Sequence, residues 1–447
     1  MQPGAIIAAA IEILDEQASN PGPLDLILQR YVRKRRYIGS KDRSSLGDHI
    51  FGAVRRQGRL DWRLRAAGAE PGPRARILAD AVLTGGASMY DLSAMTADAQ
   101  YGPPPLTTEE LGWLGALGNP PLAGAGMPLQ AELECPDWAW PEFNAAFGDH
   151  AADELAALRE PASLDLRVNT LKTNHEHALA EIRAAGFEAR GMPYSPHGIR
   201  LMERVALGRL PGLLDGAVDP QDEGSQLVAM MVGAQPGESV VDFCAGAGGK
   251  TLALAADMQN KGRLFALDSD ARRLERSAPR YAKAGVDNVQ RREISTGADS
   301  WLKRRKRRFD RVLVDAPCTG VGAWRRNPDA RWSRKSPPLS ELVALQAVIL
   351  ERAARLVRPG GRLVYATCSM LPEENEAQVD AFLSNHPDFR IDPPTRFPAP
   401  LTGPYLKLTP AQNGCDGFFA AALTRAEARA EATKAPEENS AETDPSD

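Results

Sequence analysis

Two cysteines stand just past short apolar runs, in Val312-Leu313-Val314-Asp315-Ala316-Pro317-Cys318 and in Leu363-Val364-Tyr365-Ala366-Thr367-Cys368. Each run reads as a strand, and ligands of open parallel sheets bind outside the carboxyl ends of the strands. A lone cysteine is more often a small buried hydrophobe. Two at matching strand ends point to nucleophilic thiol chemistry, in which a covalent intermediate divides one hard step into easier ones. A third stretch suggests what else binds there. Val240-Val241-Asp242-Phe243 runs into the loop Cys244-Ala245-Gly246-Ala247-Gly248-Gly249, and Lys250-Thr251-Leu252 opens a helix. Glycines let a backbone approach a ligand closely, and a helix start offers free N–H groups. The next apolar run ends in Asp268, at the distance where a doubly wound sheet places the acid that grips a ribose hydroxyl pair. Strand, loop, helix and acid together predict a nucleotide-like cofactor. The loop lacks the phosphate-gripping G-x-x-x-x-G-K-S/T pattern and does not fit G-x-G-x-x-G cleanly.

The elements that must position these residues fit a chain of 447 residues, long enough for about three domains. An apolar fraction of 43% and a charged fraction of 25% are ordinary for a globular protein. No apolar run is long enough to span a membrane, and no signal peptide is read at the N-terminus. Five cysteines, at 135, 244, 318, 368 and 415, show no metal-ligand or disulfide-framework spacing, so reduced thiols, a cytoplasmic setting and no metal are expected. The net charge of −4 does not advertise nucleic acid, but its distribution does. Residues 30–36 and 303–308 are dense basic runs, joined by Arg325, Arg326 and Arg331, while acids collect in the tail.

Residues 1–130 show helical spacing at 5–14, 23–34, 44–67 and 74–83, with Gly/Pro breaks at 102–105 and 118–121. Residues 136–208 change character: strand-like 164–169, a helix over 175–185 and a strand at 198–201 make a small α+β piece. From 210 to 425, strands ending near 242, 268, 315, 367 and 424 alternate with helices at 227–232, 271–284, 339–356 and 373–383. That pattern predicts an α/β fold with a mostly parallel, Rossmann-like sheet covered on both faces. Residues 426–447 are acidic, lack aromatics and read as disordered.

The glycine loop resembles the first motif of S-adenosylmethionine-dependent class I methyltransferases. In particular it resembles the Asp-x-Cys-Ala-Ala-Pro-Gly-Gly-Lys-Thr form of RNA 5-methylcytosine methyltransferases of the Sun/RsmB (NOL/NSUN) type, with Gly246-Ala247 in place of Ala-Pro. Asp315-Ala316-Pro317-Cys318, Thr367-Cys368-Ser369, Gly322–Asp329, Pro372-Glu373-Glu374-Asn375 and Asp219–Gln226 resemble further motifs of that family. The resemblance implies S-adenosylmethionine held by Cys244, Ala245, Gly246, Ala247, Gly248, Gly249, Lys250, Asp268 and Asp315. It implies Cys368 as nucleophile, Cys318 as the thiol that assists release of the methylated base, and Asp315 and Lys250 as catalytic partners. Spacing alone does not choose between the cysteines, because DNA cytosine methyltransferases use the Pro-Cys position as nucleophile. Carbon 5 of a pyrimidine takes a methyl group only after a thiolate adds at carbon 6, whereas enzymes that methylate exocyclic nitrogens carry Asp/Asn-Pro-Pro-aromatic where this chain has Asp-Ala-Pro-Cys.

The resemblance also implies an RNA-recognition-like role for residues 136–208, with Arg167 and Asn169 on the substrate face, and a NusB-like RNA-binding role for residues 1–130. Arg325 and Arg326 would meet phosphates and Trp324 would stack on an unpaired base. The family's acid at the end of the third strand has no evident counterpart in residues 292–299. The expected partner is RNA, ribosomal (16S-type) first and transfer RNA second, met by a monomeric protein that binds no membrane. The rival from another class is a non-catalytic RNA-binding assembly factor, against which the intact Cys368, Cys318, Asp315 and Lys250 stand.

Overall fold

The structure is a computed structural model that describes residues 1–97, 100–118, 120–203, 205–333 and 337–427. The acidic tail beyond Glu427 lies outside the described residues, as does Asn119 in the second Gly/Pro break.

Seven helices, from Pro3–Ser19 to Thr108–Leu117, share one core that includes Ile13, Leu24, Ile50, Leu64, Leu78 and Trp113. The single helix expected over 44–67 is two, Ser40–Arg55 and Gln57–Ala66, broken at Arg56. The break has a long-range cause. Arg56 forks onto Asp80, with Nε–Oδ1 at 2.6 Å and Nη2–Oδ2 at 2.8 Å. The buried carboxylate of Glu134 accepts from the N–H groups of Gly58 (2.6 Å) and Arg59 (3.3 Å) and from Arg59 Nε (2.6 Å). An acceptor at a helix start satisfies donors that the helix itself leaves free, and helical periodicity carries no trace of one 76 residues away.

The α+β piece is an antiparallel sheet of β1 (Leu164–Val168), β2 (Ala189–Gly191), β3 (Gly198–Leu201) and β4 (Val218–Pro220), in the order β2-β3-β1-β4. The helix His175–Ala184 packs on it through Ala178 and Ile182 against Leu166, Val168, Ile199 and Leu201. β2 and β4 are too short for periodicity to reveal, and β4 follows residue 210, where the sequence suggested that the next unit begins. The other face is covered too, so polar members of β1 are buried: Asp165 lies opposite Arg200 in register and takes both of its donors at 2.8 Å.

The large sheet contains β5 (Ser239–Asp242), β6 (Arg263–Asp268), β7 (Val289–Glu293), β8 (Phe309–Asp315), β9 (Val357–Thr367), β10 (Phe389–Ile391), β11 (Leu406–Leu408) and β12 (Phe418–Arg425). Its order is β10-β12-β9-β8-β5-β6-β7, with β11 paired to β12. β5 to β9 run parallel and β12 runs antiparallel to β9. Alternation along the strands sends Val240, Leu313 and Val364 to one face, against the helices Glu223–Val232 and Gly249–Asp257. Val241, Val312, Val314 and Tyr365 go to the other, against Leu339–Ala354 and Glu376–Asn385. The chain therefore has the doubly wound, Rossmann-like architecture expected. Strand order reverses at β5, where β6 and β8 lie on either side, and a ligand crevice opens at such a switch point.

Asn169 joins the two α/β units. Its Nδ2 donates to the carbonyls of Gly216 (2.8 Å) and Ala284 (2.9 Å), and its Oδ1 accepts from Leu171 N (3.2 Å). Asn169→Ala leaves two buried carbonyls without that donor and should lower unfolding stability by about 1–3 kcal/mol. The check is the urea midpoint at unchanged m-value.

Candidate active site

The loop after β5 is built to leave room. Gly246 and Gly248 have φ of +54° and +82°, a region open to glycine at little cost. A Cβ at Gly248 would also sit 2.3 Å from the Tyr281 hydroxyl. Gly246 N donates to Asp268 Oδ2 at 2.8 Å, and Asp268 Oδ1 accepts from Asp270 N at 2.9 Å. The carboxylate thus bridges the glycine loop and the turn after β6. Asp242, beneath the loop, accepts from Thr251 Oγ1 at 2.7 Å, and its other oxygen is buried without a partner. Burial, with Asp315 and Asp268 adding to it, pushes the Asp242 carboxyl up to about 7.

A cleft of about 810 Å³ opens at the carboxyl ends of β5, β6, β8 and β9. Cys244, Ala245, Gly246, Ala247, Gly249, Lys250 and Asp268 line it from the cofactor loop, and Asp315, Cys318, Arg326 and Cys368 line it from the opposite side. Lys250 Nζ donates to Asp315 Oδ2 at 2.8 Å and lies 5.3 Å from the centre of the Phe418 ring. Burial works against the Lys250 charge, but Asp315, Cys368 and Asp242 outweigh it and hold the ammonium above its ordinary range. The Cys318 and Cys368 sulfurs are 3.5 Å apart. The hydrogen bond with Cys368, then burial, then the charges of Cys368 and Glu374 raise the Cys318 thiol well above its usual range. Burial and the surrounding carboxylates do the same to Cys244.

One turn fixes both cysteine loops. Glu374, fully buried, accepts from Thr319 N (2.8 Å), Thr319 Oγ1 (2.5 Å) and Gln346 Nε2 (2.9 Å). Gln346 also donates to Pro317 O at 3.0 Å. Asn375 accepts from Thr367 Oγ1 at 2.6 Å and donates to Ser369 O at 3.1 Å. The helix expected from 373 therefore starts at Glu376, after a short turn over Pro372–Glu374, because these two side chains point inward.

Other expected site residues are placed differently. Arg167 is buried, with Nε donating to Gln221 at 2.6 Å, and Asn169 is the joint described above; neither offers a substrate face. Trp324 is fully buried, stacked on Phe143 with Arg331 over its ring, so it has no face for a base. Arg325 is buried beside Asp416, its Nη1 donating to Cys415 O. Arg326 alone of that pair reaches the cleft, held by Asp416 (2.8 Å) and Asp222 (3.0 Å).

The end of β7 explains the missing acid. Asp299 caps the helix Ser300–Arg304 through Trp301 N and Leu302 N and accepts from Ser295 N at 3.2 Å. The cleft wall there is Ile294, Ser295 and Thr296. Arg352, from the helix Leu339–Ala354, holds the carbonyls of Thr296 (2.9 Å) and Ser295. Sequence reading missed Arg352 because it lies 56 residues beyond Thr296, and it missed Arg273, whose guanidinium lies beside Gly246. The open glycine cradle, the Asp268 carboxylate and a basic residue beside the loop fit S-adenosylmethionine, which has a ribose diol and an amino-acid carboxylate to hold.

Comparisons with known proteins agree. Residues 229–424 match the family model for the 16S rRNA methyltransferase RsmB/F, and residues 135–207 match the ferredoxin-like domain of RsmF/B-like methyltransferases. The ribosomal RNA small subunit methyltransferase B of Xanthomonas campestris is 32% identical over 398 residues, covering 86% of this chain and 90% of that protein. Its counterpart in Klebsiella pneumoniae is 30% identical, covering 94% and 97%. This chain belongs to the RsmB/F methyltransferase family. The crystal structure of PH0851 superposes with a TM-score of 0.79 at 26% identity, covering 95% of this chain and 99% of that one. NSun6 from Pyrococcus horikoshii, solved with an S-adenosylmethionine analogue, gives 0.59 at 20% identity over 66% of this chain and 99% of its own, a likeness of fold.

Two residues test the cofactor side. Arg352→Ala frees the Ser295 and Thr296 carbonyls and should weaken binding of S-adenosylhomocysteine roughly tenfold by calorimetry, about the loss of one charge-assisted hydrogen bond, while Arg352→Lys recovers part of it. Asp242 binds its proton more tightly folded than unfolded, so between about pH 4 and its folded value near 7 its ionisation lowers stability as pH rises. Asp242→Asn should flatten that slope in melting temperature and leave the variant more stable than the parent at about pH 8.

Proposed function

We propose that this methyltransferase transfers the methyl group of S-adenosylmethionine to carbon 5 of a cytosine in ribosomal RNA of the small subunit, through a covalent Cys368 adduct. The observation that carries the reading is the thiol pair at 3.5 Å, opposite the Lys250–Asp315 ion pair in one cleft. S-adenosylmethionine supplies a methyl group on a sulfonium; the chain's residues make the base able to accept it. The thiolate of Cys368 adds to carbon 6 and makes carbon 5 nucleophilic. Asp315, its carboxylate fixed by Lys250, accepts from the cytosine amino group as charge shifts in the ring. After transfer, carbon 5 carries both methyl and hydrogen. Cys318 takes that proton, the double bond re-forms, and Cys368 leaves as thiolate.

The position of Cys318 supports this division of labour. Its sulfur lies 3.5 Å from that of Cys368, beside any base that Cys368 holds. The base must leave its stack to reach the cleft, so an unpaired or weakly paired cytosine is the target, met in the cytoplasm. The names of the relatives favour ribosomal over transfer RNA.

Bisulfite sequencing of total RNA from cells with and without the gene should show one protected cytosine, in small-subunit ribosomal RNA, lost with the gene; unchanged protection everywhere would contradict the reading. Cys368→Ala should reduce methyl transfer to background. Cys318→Ala should accumulate an RNA–protein adduct that survives denaturing electrophoresis. A free-running Cys318→Ala and an active Cys368→Ala would reverse the two roles.

A further inference from the structure

The two basic runs differ in the fold. In the first, Arg30 pairs with Glu16, and Arg35 pairs with Glu12 and lies over the Tyr31 ring, while Arg33, Lys34 and Arg36 make no ion pair among the described residues. In the second, no residue of 303–308 makes an ion pair among the described residues, and neither does Arg263 or Arg292. Nearby acids are engaged elsewhere. Asp299 caps a helix, Asp310 holds Arg358 and Ser239 N, and Glu238 holds Arg311.

These cations are also held together. Trp301 is buried against Phe265 and Phe309, and Arg305 and Arg292 lie over its ring at 4.2 and 5.5 Å. Burial, then the charges of Arg304, Arg292 and Arg263, hold the Arg305 guanidinium below its ordinary range. The run is anchored at its far end, where Arg307 N and Arg308 N donate to the carbonyls of Arg355 and Leu356 at 2.9 Å each, with Arg307 in the left-handed region at φ +56°. A fixed cluster of like charges in which Asp299 faces only Arg292, in a chain whose net charge is −4, is electrostatically unfavourable until a polyanion meets it.

We propose that this edge of the catalytic domain, from Arg263 and Arg292 across Lys303, Arg304, Arg305 and Lys306, docks the phosphate backbone of a double-helical RNA segment that flanks the target cytosine. The inference rests on RNA being the substrate. The occupant is backbone rather than splayed bases because no exposed aromatic lies in the patch among the described residues: Trp301 is buried and its face is covered by Arg305. Lysine and arginine without a stacking platform read phosphates, not sequence. The patch adjoins the cleft through Asp299, which starts the helix carrying Lys303 and Arg304 and also holds Ser295 in the cleft wall. A duplex seated there would deliver its adjoining single strand toward the active site.

The test compares the full chain with the triple variant Lys303→Gln/Arg304→Gln/Lys306→Gln. Each protein is titrated with an RNA duplex of about two helical turns and with a single strand of equal length, across a potassium chloride series. The variant should bind duplex more weakly, with a log–log salt slope smaller by about 2–3, roughly one for each phosphate that is no longer neutralised. Its melting temperature and S-adenosylhomocysteine affinity should match those of the parent. An unchanged duplex slope, or a weakening confined to the single strand, overturns the proposal. Methyl transfer from labelled cofactor to small-subunit RNA is measured on the parent in parallel. If the parent methylates no RNA, the proposed function fails, and the duplex titration still judges the surface.

Discussion

The rest of the site depends on keeping two sulfurs 3.5 Å apart at the ends of different strands. β8 and β9 are neighbours, with Asp315 opposite Ala366, but each cysteine lies beyond its last paired residue, where a loop is free to move away. The Pro372–Asn375 turn removes that freedom. Glu374 grips the Cys318 loop through Thr319, and through Gln346 it also reaches Pro317; Asn375 grips the Cys368 loop through Thr367 and Ser369. The Tyr365 hydroxyl, from within β9, donates to the Glu374 carbonyl at 2.7 Å. A carboxylate in this position costs several kcal/mol in desolvation unless its lone pairs are met; three donors meet them. The pair of thiols is therefore preorganised by hydrogen bonds made by Glu374, Gln346 and Asn375, none of which lines the cleft.

Electrostatics in the cleft follow from the same crowding. Lys250 interacts with Asp315, Cys368 and Asp242, and these hold its ammonium above its ordinary range. Asp315 has the direct ion pair. Asp242 lies below it, short of one hydrogen bond, with its carboxyl pushed up to about 7. One cation thus lies between two carboxylates and fixes Asp315 at the edge of the cleft.

Much of this was legible in the sequence, and the losses share one cause. The strands around the cleft, the helix Ala271–Ala284, the glycine loop and Asp268 stand where residue type and periodicity place them, because they depend on near neighbours along the chain. Residue type also singled out Cys318 and Cys368, and the family resemblance added Asp315 and Lys250; all four line one cleft. What type does not disclose is orientation. Arg167, Asn169, Arg325 and Trp324 are polar or aromatic residues of the kinds that bind RNA, yet each is turned inward toward partners far along the chain, such as Gln221, Ala284, Asp416 and Phe143. The helix break at Arg56 has the same origin, in Asp80 and Glu134. Arg352 is the converse case, a helix residue with no motif around it that reaches the carbonyls at the end of β7.

The segment between Cys318 and the helix Leu339–Ala354 ties the three units together. Gly322 packs against Gly417 so closely that a Cβ would sit 2.2 Å from its carbonyl oxygen. Arg326 joins Asp222, just after the small sheet, to Asp416, just before β12. Asp329 accepts from Leu24 N at 3.0 Å at the start of the helix Leu24–Arg33, and Trp332 Nε1 donates to Val54 O at 3.0 Å. One short loop thus touches the catalytic sheet, the small sheet and the helical domain. The helical domain is for this reason more than an appended module. Its helix starts and carbonyls fix the far end of the loop whose near end carries Arg326 into the cleft.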